Sequence, residues 1–178
     1  MGFLSIIFFM HVAHAQFVKA SLQASGLTCS MCSKATQEAL ATLPFVQSIV
    51  PDLNTNTFAL TFKKEVPVSI DALRKKVEDA GFSVAKLVLT ADFNHVKITN
   101  DVHINYAGNI LHFVNVREQI LNGDQHITVI DKGFIPEKQF KKYGAVEKMD
   151  CYKTGKITGT CCKVEGKVNS DRVYHVTI

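Results

Sequence analysis

Cysteine carries most of the reactive chemistry in this chain of 178 residues. Two thiols stand as Cys29-Ser30-Met31-Cys32, and three more as Cys151 and the adjacent Cys161 and Cys162. Thiols at C-x-x-C spacing can converge on one ion when the first sits on a loop and the second on the opening turn of a helix. Thiolate is a soft ligand that favours Cu(I) or Zn over Mg or Ca. Free amides and the positive end of a helix lower a thiol pKa, which makes the ligand. Two thiolates suit low-coordinate Cu(I), whereas structural zinc calls for four closed ligands, and no second C-x-x-C exists. The expected site is shallow, exposed and two-coordinate, fit for handing an ion on by ligand exchange. The same spacing also serves a thiol–disulfide pair, with Cys29 attacking and Cys32 resolving. Met31 offers a thioether as a third soft ligand, but its expected direction is toward solvent.

The second group invites three readings, one of them simply buried free thiols. In a hairpin around Tyr152-Lys153-Thr154-Gly155-Lys156, Cys151 would reach Cys161 or Cys162 at disulfide distance. Neighbouring residues of a strand face opposite ways, so one thiol would be left over. Alternatively the thiols join Met149 or a histidine in a second soft-metal site. The histidines beyond residue 15 are His95, His103, His112, His126 and His175. None has the helical H-x-x-x-H spacing of a zinc site. His103 and His112 can face each other across a Gly108-Asn109 turn, but ordinary surface or core roles are expected for all five.

Composition narrows the classes. The chain is 47% hydrophobic and 20% charged, which excludes disorder and collagen-like repeats. A net charge of +4, spread over short runs such as Arg74-Lys75-Lys76, gives no nucleic-acid footprint. No Ser/His/Asp order, paired carboxylates or phosphate loop stands out, so no enzymatic activity is expected.

The elements that must position the thiols follow from periodicity. Residues 1–15 read as an export signal: a short apolar run, too short to span a bilayer, ending Ala13-His14-Ala15. Cleavage before Gln16 would place the remaining chain in the periplasm or the medium, with no membrane insertion. Val18, Ala20, Leu22 and Ala24 alternate as a half-buried strand. Cys32, Ala35, Ala39 and Leu43 recur at helical spacing, and Pro44 stops that helix. Residues 46–53 read as a strand, Asn54-Thr55-Asn56 as a turn, and Phe58, Leu60 and Phe62 as another strand. Ser69 caps a second helix that carries Ile70, Leu73, Val77 and Ala80 on one face and ends at Gly81. Residues 82–89 form a last strand. The order β-α-β-β-α-β predicts an α+β, ferredoxin-like sandwich over residues 16–91.

Residues 94–178 follow a different pattern. Val96, Ile98, Val102, Ile104 and Tyr106 alternate, interrupted at residues 99–101. Residues 111–116 and 127–130 are further strands, with Gly108-Asn109 and Asn122-Gly123 as turn signals. Pro136 opens one short helix, and Tyr174, Val176 and Ile178 alternate to the end. The expectation is a small, mostly antiparallel, barrel-like β domain or sheet with one short helix. The boundary near residues 91–94 carries no linker composition.

Residues 17–89 resemble the heavy-metal-associated domain family, which includes copper chaperones and the periplasmic mercuric-ion binding protein. The matching residues are Gly26-Leu27-Thr28-Cys29-x-x-Cys32, Ala35, Ala39-Leu40, Leu43-Pro44, Val46, Asp52-Leu53, Thr57 and Glu78-Asp79-Ala80-Gly81-Phe82. The resemblance implies a thiophilic ion held by Cys29 and Cys32, with Cu(I) first and Zn, Hg or Cd as other options. It also implies a metal-donor or metal-acceptor partner such as a transport ATPase. Leu27 stands where the family has Met and would pack beneath the loop, and Phe82 would shield the ion. Phe45 replaces a common Gly after the Leu-Pro pair. The C-terminal half distantly resembles OB-like barrels, which supplies a fold expectation and no ligand.

Overall fold

The computed structural model describes residues 16–157 and 171–178. The first half builds β1 (Phe17–Ser25), α1 (Ser30–Ala41), β2 (Val46–Asp52), β3 (Thr57–Phe62) and α2 (Ile70–Asp79), and leads into β4 (Ser83–Ile98). The second half adds β5 (His103–Tyr106), β6 (Asn109–Phe113), β7 (Gln119–Val129), α3 (Glu137–Val146), α4 (Asp150–Thr154) and β8 (Val173–Thr177). This is the expected α+β class with a ferredoxin-like start.

Alternation drives the first half as the sequence indicates. Ala20, Leu22 and Ala24 of β1 face inward with Phe58, Leu60 and Phe62 of β3. At the start of β1 a bulge between Phe17 and Lys19 turns Phe17 inward, so Val18 is only half-buried. The α2 helix behaves as predicted: Ser69 Oγ accepts from the Ala72 amide, and Gly81 (φ +88°) closes the C-terminus. The α1 face departs from expectation. Ser33, Thr36 and Leu40 are buried, not Ala35 and Ala39. Thr36 can lie inward because its hydroxyl donates to the Cys32 carbonyl at 3.0 Å. Phe45 is also buried, with its ring 5.8 Å from that of Phe62.

All eight strands form one sheet in the order β2-β3-β1-β4-β7-β8-β6-β5. The sheet stays open, with β2 and β5 at its edges among the described residues, so the β-rich second half does not close into a barrel. The 16-residue β4 continues through residues 91–94, pairing with β1 over residues 83–91 and with β7 over residues 87–98. Asn122-Gly123 is not a hairpin turn. It lies inside β7 opposite an irregularity at residues 93–96, where Gly123 and His95 both take positive φ. Among the described residues two helices, not one, follow β7. Finally, β8 inserts between β7 and β6, parallel to β6, and buries both of its faces.

Side chains also tie the two halves. Tyr106 OH donates to the carbonyls of Gln16 and Asp92, each at 2.8 Å, and its ring packs on Phe17 and Phe93. Arg172 donates to Asp71 at the start of α2. No described helix is long and apolar enough to cross a membrane.

Candidate metal centre

The C-x-x-C loop is set by three local features. Gly26 takes φ +89°, and the space a Cβ would fill there lies 3.6 Å from the Phe82 ring. Leu27 is buried below the loop, and its carbonyl accepts from Asn56 Nδ2 at 3.5 Å. Cys29 is the N-cap of α1, in extended conformation, and Cys32 lies on the first helical turn. The two sulfurs are 3.0 Å apart. Cys29 is exposed and Cys32 partly so. Met31 is 71% exposed and turned away from the core.

The electrostatics favour thiolate. The Cys29 thiol is held below its ordinary pKa, first by the Cys32 side chain and then by the Cys32 and Met31 amides. Its sulfur makes no capping hydrogen bond of ordinary geometry, so the amides act through their dipoles. At a metal–sulfur distance of about 2.3 Å, two sulfurs stand ~3.8 Å apart at a tetrahedral angle and ~4.6 Å apart in a linear site. Holding an ion between the two sulfurs would therefore open the present gap. Cys29 lies outside the helix and is exposed, so turning its side chain opens the gap without moving Cys32.

The second cysteine group differs from expectation. Cys151 sits on α4, not in a hairpin strand, and is 0% exposed. Cys161 and Cys162 lie outside the described residues, as does the expected disulfide to either of them. Cys151 Sγ is surrounded by imidazole: His175 Nε2 at 3.5 Å, His112 Nδ1 at 3.7 Å and His103 Nε2 at 3.8 Å. The β5–β6 register places His103 opposite His112, with rings stacked at 4.0 Å, as the turn at Gly108-Asn109 allows. The β6–β8 register places His112 beside His175. Burial lowers the His103 pKa to about 4, helped by His175. Burial lowers that of His112 to about 2, with His103 and His175 adding to the effect.

Carboxylates stand behind these rings. Asp131 Oδ1 lies 2.6 Å from His175 Nδ1, and Asp131 also accepts from Arg172 Nη2 at 2.8 Å. Asp101 Oδ1 lies 3.7 Å from His112 Nε2, which has no hydrogen-bond partner among the described residues. The sequence points to His103 facing His112 but misses His175 and Asp131. Those two lie 44 residues apart and meet only because β8 inserts beside β7. The other two histidines are elsewhere: His126 is exposed on β7 and pairs with Thr90, and His95 pairs with Asn94.

Comparison with known proteins places the loop in context. Residues 21–83 match the heavy-metal-associated domain. Among solved structures, the yeast copper transporter domain Ccc2a, studied in apo and Cu(I)-loaded states, is 30% identical. That match covers 38% of this chain and 90% of that one, with a TM-score of 0.34. Oxidised MerP from Ralstonia metallidurans CH34 is 28% identical over 39% of this chain and 96% of that one, with a TM-score of 0.34. The CopZ metallochaperone is 22% identical over 38% and 98%, with a TM-score of 0.35. No curated protein matches. Through residues 21–83, the chain belongs to the heavy-metal-associated domain family.

Proposed function

We propose that this chain is an exported carrier of a thiophilic ion, Cu(I) first, held between Cys29 and Cys32 and passed to a partner by ligand exchange. The observation that carries the reading is the exposed thiol pair, 3.0 Å apart at the start of α1, with the Cys29 pKa lowered. The solved structures it resembles include a copper transporter domain and a metallochaperone, which agrees with metal as cargo. Binding releases the thiol protons, and the ion keeps its oxidation state. A thiolate of a donor or acceptor, such as a transport ATPase, joins the exposed ion to give a shared three-coordinate intermediate. One of this chain's sulfurs then leaves. Exposure of Cys29 gives the partner room to approach, and the fixed Cys32 holds the ion in place during exchange. The leader at residues 1–15, outside the described residues, supports delivery to the periplasm or the medium.

The test is Cu(I) titration against a competing chelator. The reduced chain is expected to take one tight equivalent with two sulfur ligands, and Cys29→Ser with Cys32→Ser is expected to abolish it. Retention of that two-sulfur equivalent in the double variant would overturn the reading. A second reading, exported thiol–disulfide oxidoreductase, draws on the same short sulfur separation, and one similar structure is an oxidised form. It predicts insulin reduction by the metal-free chain, whereas the carrier reading predicts none above the double variant.

A further inference from the structure

We infer that the second half holds its own metal site, in which Cys151, His103, His112 and His175 bind a borderline-soft ion, Zn(II) or copper, as a resident and not as cargo. The ligands come from four separate elements, β5, β6, α4 and β8, brought together around one sulfur. In a tetrahedral site, metal–sulfur and metal–nitrogen distances of about 2.3 and 2.05 Å put sulfur ~3.6 Å from each nitrogen. The three separations here are 3.5, 3.7 and 3.8 Å. His103, His112 and Cys151 also offer their ligand atoms within 4.8 Å of one another.

The groups behind the rings complete the pattern. Asp131 already accepts from Arg172 and from the His175 amide, so it is an acceptor toward Nδ1 as well. That places the His175 proton on Nδ1 and leaves the Nε2 lone pair toward Cys151. Asp101 lies behind His112 at 3.7 Å from Nε2, beyond hydrogen-bond distance, while Nδ1 faces the sulfur. An imidazole–thiolate set suits zinc and copper over the oxygen-seeking cations.

The Cys151, His175 and Asp131 order also has the form of a nucleophilic triad. Cys151 is fully buried, however, and two further imidazoles crowd its sulfur, so a substrate carbonyl has no approach. Loading requires two adjustments. His175 stands outside the group whose ligand atoms lie within 4.8 Å of one another, so its ring must close on the other two. The stacked His103 and His112 rings must turn so that their lone pairs converge. His103 is only half-buried and sits on the edge strand β5, where such a turn is easiest.

The test uses the full chain carrying Cys29→Ser and Cys32→Ser, reduced with a phosphine and titrated with Co(II) and then Zn(II). Circular dichroism checks that each variant is folded. The expected result is a single Co(II) equivalent with a sulfur-to-cobalt charge-transfer band and intense tetrahedral ligand-field bands, displaced by Zn(II). Cys151→Ser should remove the charge-transfer band. His103→Gln, the substitution least disruptive to packing, should weaken binding by about tenfold or more while the fold persists. Absence of the band in the folded, reduced double variant would overturn the inference. So would a Cys151 that stays disulfide-bonded under the phosphine. A band that survives both Cys151→Ser and His103→Gln would place the ion elsewhere, Cys161 and Cys162 included, and would also overturn it.

Discussion

The two thiol sites of this chain use opposite surroundings. Cys29 and Cys32 are presented at a loop and a helix start, with the first sulfur exposed and only amides and a neighbouring thiol to tune it. Cys151 is buried and ringed by three imidazoles, one of which, His175, is held by Asp131. An exposed two-sulfur site lets an incoming ligand attack, so exchange is fast. Under the proposed assignments, an ion at the buried cluster, bound from four elements, would exchange more slowly. The difference teaches that ligand type alone does not separate carrier from resident site. Access and ligand number do.

The comparison breaks most sharply at Cys29. Cys29→Ser alone should remove tight Cu(I) binding at the loop, yet leave the Co(II) spectrum of the buried cluster unchanged. Parallel titrations with the two ions check this. Next comes Asp131→Asn, which keeps the shape but removes the charge behind His175. It should weaken the buried site by about 10- to 100-fold, as such supporting carboxylates do, with Cu(I) at the loop unaffected.

Acid sharpens the contrast further. In the metal-free chain, burial holds His103 and His112 at about 4 and about 2, below the unfolded value of 6.5. The unfolded state therefore binds more protons as pH falls through 6.5, so stability present above that pH is lost toward 4. The expected loss between pH 7 and pH 5 is about 1–3 kcal/mol, measured as a fall in the urea midpoint, and His103→Gln should reduce it. A smaller effect belongs to Gly26→Ala. The open side of the loop tolerates a Cβ, but the positive φ costs about 1 kcal/mol in thermal stability. Met31→Ala should be the mildest, within ~0.5 kcal/mol, with unaltered Cu(I) affinity, because the side chain is solvated.

How much of this was legible in the sequence depended on the distance over which each feature is encoded. The loop, α2 with its Ser69 cap and Gly81 stop, and the alternation of β3 are local patterns, and each is found where the sequence indicates it. The buried face of α1 was misread because alanines mimic an apolar stripe. The true face uses Thr36, whose hydroxyl is satisfied by the preceding turn. Asn122-Gly123 carries a turn signature but serves a bulge, since both residues stay in the long β7 strand opposite β4. The buried cluster was legible only in part. His103 and His112 are linked by a local turn, whereas His175 and Asp131 depend on a parallel insertion of β8 that no short-range pattern encodes. Of the barrel or sheet that alternation allows, the described strands form an open sheet.

The most direct test of the account is X-ray absorption on the reduced full chain loaded with one equivalent of Cu(I). The account predicts a low-coordinate copper with sulfur neighbours and no imidazole scattering, which vanishes in Cys29→Ser with Cys32→Ser. A copper shell dominated by imidazole nitrogen, or a two-sulfur shell that persists in the double variant, would contradict it.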